Sequence, residues 1–317
     1  MPSTDCGYMA IVANANKSLS RIHFKEGLTV ERMEINDLFE ELSEIDGPPS
    51  LSQKIDVFDE TEFEEGRAFF TVIRGRFTSD SIDPKPIAGA LGDVGRFQRD
   101  YEKEILMTLD SCMLFGECAP YLSRRYYTYV ERATGRRRLL SVFFGGIRYV
   151  NSQMNLTDND VERINANAKN GIIPLEPSYL QFAFENLKLS YKVPDPGMMH
   201  VCLTTALESM LCDGGSETRY KLSRNGAVLL GKDRKDCEDV KKKIAEIYDR
   251  RSAIVHGPHD KKNSKNTKEF DIFGLRYIVR QTILALLELS KEQDELFELL
   301  TATGYDETKE WRKSNQM

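Results

Sequence analysis

Two periodicities divide the chain. From about residue 176 onward, apolar side chains recur every three or four positions, the spacing of an amphipathic or buried helix. Before about residue 160, shorter β-branched and aromatic runs dominate. In that earlier part "AFFTVIRGRF" (68–77) predicts a strand. The stretch "RRYYTYVERATGRRRLLSVFFGG" predicts a hairpin with arms near 125–132 and 138–144, turning at Thr134-Gly135. Between them, 94–117 carries Phe97, Tyr101, Ile105, Leu109 and Met113 at helical spacing. The later part predicts a helix over 177–193, the break Pro194-Asp195-Pro196-Gly197, and an apolar helix over 198–211. Next come a helix opened by Ser216 as N-cap and stopped at Gly231, and a longer one ending in His256-Gly257-Pro258. The helical series closes with 270–291 and a short helix over 294–304. The polar, Asn-rich stretch 151–175 reads as the boundary. The expected fold class is therefore α+β overall: a mixed N-terminal region with strands and helices (1–160), an all-α bundle (176–304) and a loose tail (305–317).

Composition narrows the classes without choosing one. With 40% hydrophobic and 30% charged residues, the 317-residue chain is ordinary for a globular protein. No apolar run reaches the roughly 18 residues of a membrane span, and the first residues lack the basic and apolar regions of a secretory signal. The six cysteines are scattered with no CxxC pair, which predicts reduced thiols, no structural metal, no cofactor and a cytoplasmic setting. A net charge of −6 argues against non-specific coating of nucleic acid, yet the charge is uneven. Residues 26–65 are acidic, while cations gather at 124–138 and 241–268. Arg136, Arg137 and Arg138 at the hairpin tip offer a weak RNA-phosphate grip, although exposed basic tips are common without that role.

The chemistry-bearing residues gather at the end of the long helix, in "YDRRSAIVHG" (248–257). The plain reading of His256-Gly257-Pro258 is a helix stop, with a cation at the negative end of the dipole. Arg251 is less ordinary, because it falls on the apolar stripe Val240, Ile244, Ile247, Ile254, where a cation must pair, snorkel or meet another surface. Arg250 lies one step off, placed to pair with Glu246. His256 stands five residues past Arg251, about 140° around an ideal helix, so the two tips meet only through fraying or a second copy.

Three ordered motifs, "LTTALESML", "SETRYKLSRNGAVLLG" and "IYDRRSAIVHG", resemble the HEPN superfamily, specifically its Apea-like branch, over roughly residues 176–300. The resemblance implies a helical domain pairing two-fold, so that two Arg-x4-His motifs meet at the dimer seam. It also implies metal-independent endoribonuclease activity on single-stranded RNA, of the kind found in antiviral defence and toxin–antitoxin modules. Arg251 takes the motif arginine and His256 the motif histidine. Ser252 stands directly after the arginine, where many active members carry an amide or an acid. Glu208 matches the family's Ala-Leu-Glu, either orienting a basic partner across the bundle or, more commonly for such an acid, being satisfied by Arg219 or Arg224. His259 is a loop histidine that would assist RNA binding, His200 reads as a packed core residue, and His23 has no recognisable context. No serine or cysteine nucleophile constellation and no phosphate-cradling glycine loop is present in the sequence. The N-terminal region would sense a protein or small-molecule trigger or guide substrate, with no membrane partner. The alternative reading is a non-catalytic HEPN module that binds nucleotide, RNA or a protein partner.

Overall fold

A computed structural model of the protein describes residues 4–24, 27–46, 62–79, 101–130, 135–143, 154–170, 173–257, 271–289 and 291–308. Its class is α+β, and its contacts separate into two units, Met1–Gly171 and Ile172–Met317.

The first unit is built on an antiparallel sheet of β1 (Thr4–Ala13), β2 (Leu28–Glu34), β3 (Glu62–Glu64), β4 (Arg67–Ser79), β5 (Tyr121–Val130) and β6 (Arg137–Phe143). The strands run in the order β2-β4-β1-β5-β6, with β3 paired to the start of β4. Alternation in β4 sends Ala68, Phe70 and Val72 to one face, where they join Met9, Ile11 and Tyr126. Helix α1 (Ile35–Asp46) lays Ile35, Leu38 and Leu42 on that face. On the other face the rings of Tyr8 and Tyr127 stand 5.3 Å apart, and Arg125 pairs with Glu102 at the head of α2 (Lys103–Phe115). The strand expected at 68–77 and the paired hairpin arms expected near 125–132 and 138–144 appear as β4, β5 and β6, while Thr134 of the expected turn lies outside the described residues. The helix expected over 94–117 begins its regular α-turns only at Lys103, and its Phe97 end lies outside the described residues.

The Asn-rich stretch is not plain loop: it holds α3 (Asp158–Asn170). A reciprocal cap starts it, with Thr157 N donating to Asp160 Oδ2 and Asp160 N donating to Thr157 Oγ1. Asn165 then ties the helix to the 3-10 turn Lys17–Arg21, accepting from His23 N and donating to Arg21 O.

The second unit is a set of helices: α4 (Ser178–Lys192), α5 (Pro196–Leu211), α6 (Thr218–Leu230), α7 (Arg234–His256), α8 (Ile272–Leu289) and α9 (Gln293–Ala302). Helix α5 packs on α4, α7 and α8 and buries Leu203, Ala206, Leu207, Met210 and Leu211. Two expected boundaries shift. The supposed break at 194–197 is the opening of α5, because Asp195 Oδ1 accepts from Met198 N and Pro196 fits the first turn, where its missing N–H is not needed. The N-cap of α6 is Glu217 in a left-handed conformation, not Ser216, which is exposed one step earlier. The segment expected to be loose from residue 305 begins as an ordered turn, with Thr308 buried and Asp306 3.1 Å from Arg234. Among the described residues, no helix is long and apolar enough to cross a membrane.

Candidate functional site

Helix α7 starts on Asp233, whose Oδ1 accepts from Asp236 N, and ends at Gly257, whose φ of +80° takes the chain out of the helix. Its inward stripe is shallow: Cys237 and Ile244 are buried, while Ile247, Arg251 and Ile254 are half-buried. Gly226 of α6 lets Ile244 approach closely, since a Cβ there would overlap Ile244 Cδ1.

Arg251 finds its counter-charge on α5. Its Nη2 lies 3.6 Å from Glu208 Oε2, with the two side chains 24% and 21% exposed. That distance exceeds the 2.7–2.9 Å or so of a charge-assisted hydrogen bond, so the pair attracts without bonding. Arg251 Nε and Glu208 Oε1 are buried without a hydrogen-bond partner among the described residues. Burial raises the Glu208 pKa above the usual carboxylate value, and Arg251 opposes the rise. The alternative partners of Glu208 are engaged elsewhere. Arg219 grips Asp249 through two bonds of 2.6 and 2.7 Å, and Arg224 donates to the carbonyls of Leu300, Thr301 and Thr303. The expectation that Arg219 or Arg224 satisfies Glu208 is therefore corrected. The reason is helix crossing, which aligns the stripe of α7, and not α6, with Glu208.

One turn before Arg251, the Ile247 carbonyl lies 2.9 Å from His200 Nε2. His200 is 4% exposed, the packed core residue its apolar helix implies, and burial lowers its pKa, with the Arg250 charge adding to the effect. A neutral imidazole there donates to the carbonyl and ties α5 to α7 directly beneath Arg251. This contact was not legible in the sequence, which gives His200 only an apolar setting.

His256 closes the helix and is exposed, as is Val255 before it. Arg250 and Ser252 are half-buried on either side of Arg251. The first turn of α5 carries Met198, about half exposed, and the first turns of α8 carry Phe273 and Tyr277, both more than half exposed. Two contacts bring these helix ends together: a Cβ at Gly197 would stand 3.8 Å from Ile254, and Arg276 reaches Met199 Sδ at 3.9 Å. Spacing alone does not separate these apolar residues from the core.

The remaining candidates belong to the first unit or lie outside the described residues. Arg136 and Arg137 are exposed and Arg138 half-buried at the start of β6, in the other unit. Arg137 stands near enough to Glu41 to help hold that carboxyl below its usual range, after the stronger influence of Arg74. His259 lies outside the described residues, and His23 is exposed in the first unit. None of the six cysteines is joined in a disulfide. No protein-family model, no curated protein and no solved structure matches this chain.

Proposed function

We propose that the chain is a metal-independent endoribonuclease of HEPN type, acting as a homodimer through its C-terminal helical unit. The observation that carries the reading is the division of the Arg-x4-His motif: Arg251 turned inward against Glu208, His256 exposed at the helix end after the exposed Val255, with Met198 next to the Gly197 that faces Ile254. An apolar surface of this kind next to polar chemistry suits contact with a second copy.

RNA supplies its own nucleophile, the 2′-hydroxyl. In the proposed reaction the 2′-oxygen attacks phosphorus and the bond to the 5′-oxygen breaks. One His256 imidazole takes the 2′-hydroxyl proton, and the imidazolium of the second chain protonates the departing 5′-oxygen. The Arg251 guanidinium offers a planar fork to the phosphoryl oxygens as charge builds on the phosphorane. The products are a 2′,3′-cyclic phosphate and a 5′-hydroxyl. A role in prokaryotic antiviral defence or as a toxin-like effector in the cytoplasm follows from the resemblance.

The test is incubation of the purified protein with end-labelled single-stranded RNA in a chelator. The expected result is cutting by wild type with cyclic-phosphate ends, and no cutting by His256→Ala at an unchanged sedimentation coefficient. Cutting lost on chelation, or retained by His256→Ala, refutes the assignment. Binding of RNA without cutting by wild type favours the non-catalytic module.

A further inference from the structure

The contact between Arg251 and Glu208 differs from a neighbouring ion pair on α7. Asp249, two residues before Arg251, is held by Arg219 in a two-bond fork of 2.6 and 2.7 Å, although both side chains are more than half exposed. Arg251 and Glu208 are far better buried, yet approach only to 3.6 Å at one pair of atoms. Each keeps a buried polar atom, Nε and Oε1, with no hydrogen bond among the described residues. A pair serving only to hold two helices together would close into the fork, since burial strengthens attraction and penalises unused donors. The guanidinium is instead neutralised in charge while its hydrogen-bonding edge stays unspent.

We propose that Glu208 is a built-in anion on Arg251 that a substrate phosphate displaces, so that the carboxylate sets how strongly this site binds phosphodiesters. A phosphodiester presents two oxygens at the spacing of the guanidinium fork and satisfies the donors that Glu208 leaves idle. Until it arrives, the carboxylate screens the cation and suppresses capture of stray anions. The inference rests on the proposed reading of Arg251 as the phosphate-binding cation, and it adds a competitor to that site.

The experiment measures binding of a single-stranded 2′-O-methyl oligoribonucleotide, which has no free 2′-hydroxyl to react, by fluorescence anisotropy with the full chain. Wild type is compared with Glu208→Gln, Arg251→Ala and the double variant. The expected result is a Kd lowered by at least about fivefold in Glu208→Gln, the scale left to two charges some 4 Å apart even under full water screening. The gain should vanish in the Arg251→Ala background, which separates it from a general loss of negative charge. Glu208→Asp keeps the charge but withdraws it by one methylene, and should give a smaller gain in the same direction, which decides the matter if Glu208→Gln does not fold. Binding by Glu208→Gln no tighter than wild type, or a gain that persists without Arg251, overturns the proposal. Arg251→Ala binding as tightly as wild type overturns the functional reading itself, and so distinguishes the two failures.

Discussion

Gly231 joins α6 to α7, and replacing it by alanine tests how tightly the helix bearing Arg251 and His256 is set. Its backbone, at φ −68° and ψ 143°, is open to any residue, so conformation alone favours the change. Alanine restricts the unfolded chain and would stabilise by about 0.4–1 kcal/mol if space allowed. Space does not allow it. An ideal Cβ would lie 2.7 Å from the Ala227 carbonyl oxygen and 2.8 Å from Cys237 Cα, and would overlap Cys237 Sγ as well. Two of these neighbours are backbone, which cannot rotate aside, so the ends of α6 and α7 must part. Overpacking of this kind costs about 1–3 kcal/mol, with the upper half expected here. The net loss is then roughly 1–2.5 kcal/mol, or about 2–10 °C in Tm for a unit of this size. Urea denaturation followed by far-UV circular dichroism should show a lower midpoint at an unchanged slope. Cys237→Ala removes only the sulfur, so adding it to Gly231→Ala should recover less than half of the loss. Gly231→Ala within about 0.5 kcal/mol of wild type, ordinary for a neutral surface change, would refute the packing argument.

Ile244→Ala, at a fully buried position against Gly226, should cost about 2–4 kcal/mol in the same denaturation assay. Glu208 and Glu41 should give opposite pH slopes of stability. The raised Glu208 pKa means the folded form holds the proton more tightly, so stability falls as pH rises from the unfolded carboxylate value of 4.5 through the folded pKa. Glu208→Gln should remove that slope. The Glu41 pKa is lowered by Arg74, so its contribution is complete above 4.5 and is lost as pH falls through the folded pKa. Glu41→Gln should flatten acid loss in denaturation series across the carboxylate range. If the proposed dimer and RNA cutting hold, Met198→Asp, at a 49% exposed position next to the Gly197 that faces Ile254, should shift sedimentation from dimer to monomer and abolish cutting while leaving Tm nearly unchanged.

Strands were legible where the residue types alone make a strand. The run 68–77 is rich in Phe, Val and Ile and became β4, whereas β1, "TDCGYMAIVA", contains Gly, two Ala and Met and gave no clear signal. It is nevertheless paired on both edges, by β4 and β5, and tertiary pairing outweighs its weak propensity. Helix α1 was hidden differently. Ile35, Leu38, Phe39 and Leu42 have helical spacing, but the acidic density around them masks it behind a charge patch. In the site, the place of Arg251 on an apolar stripe could be read from spacing, because helical periodicity is local. Its partner could not, since choosing among Arg219, Arg224 and Arg251 depends on how α5, α6 and α7 cross.

The exposure of His256 follows from where α5 begins. His200 and Glu208 are eight residues apart on α5, about 12 Å along its axis, yet they meet α7 at Ile247 and Arg251, only four residues apart. Helical side chains lean toward their own N-terminus, so Arg251 reaches back along α7 while Glu208 reaches back along α5, and the charges converge between the two backbones. Further along α7, cover is running out. Ile254 still meets α5 at Gly197, which lies in the first turn after the Asp195 cap, and α5 extends no further than Pro196. Val255 and His256 come after that contact and remain exposed. The Asp-Pro-Gly sequence that starts α5 thus determines which residues of α7 are packed and which are presented. Arg251 falls on the packed side of that limit and His256 beyond it.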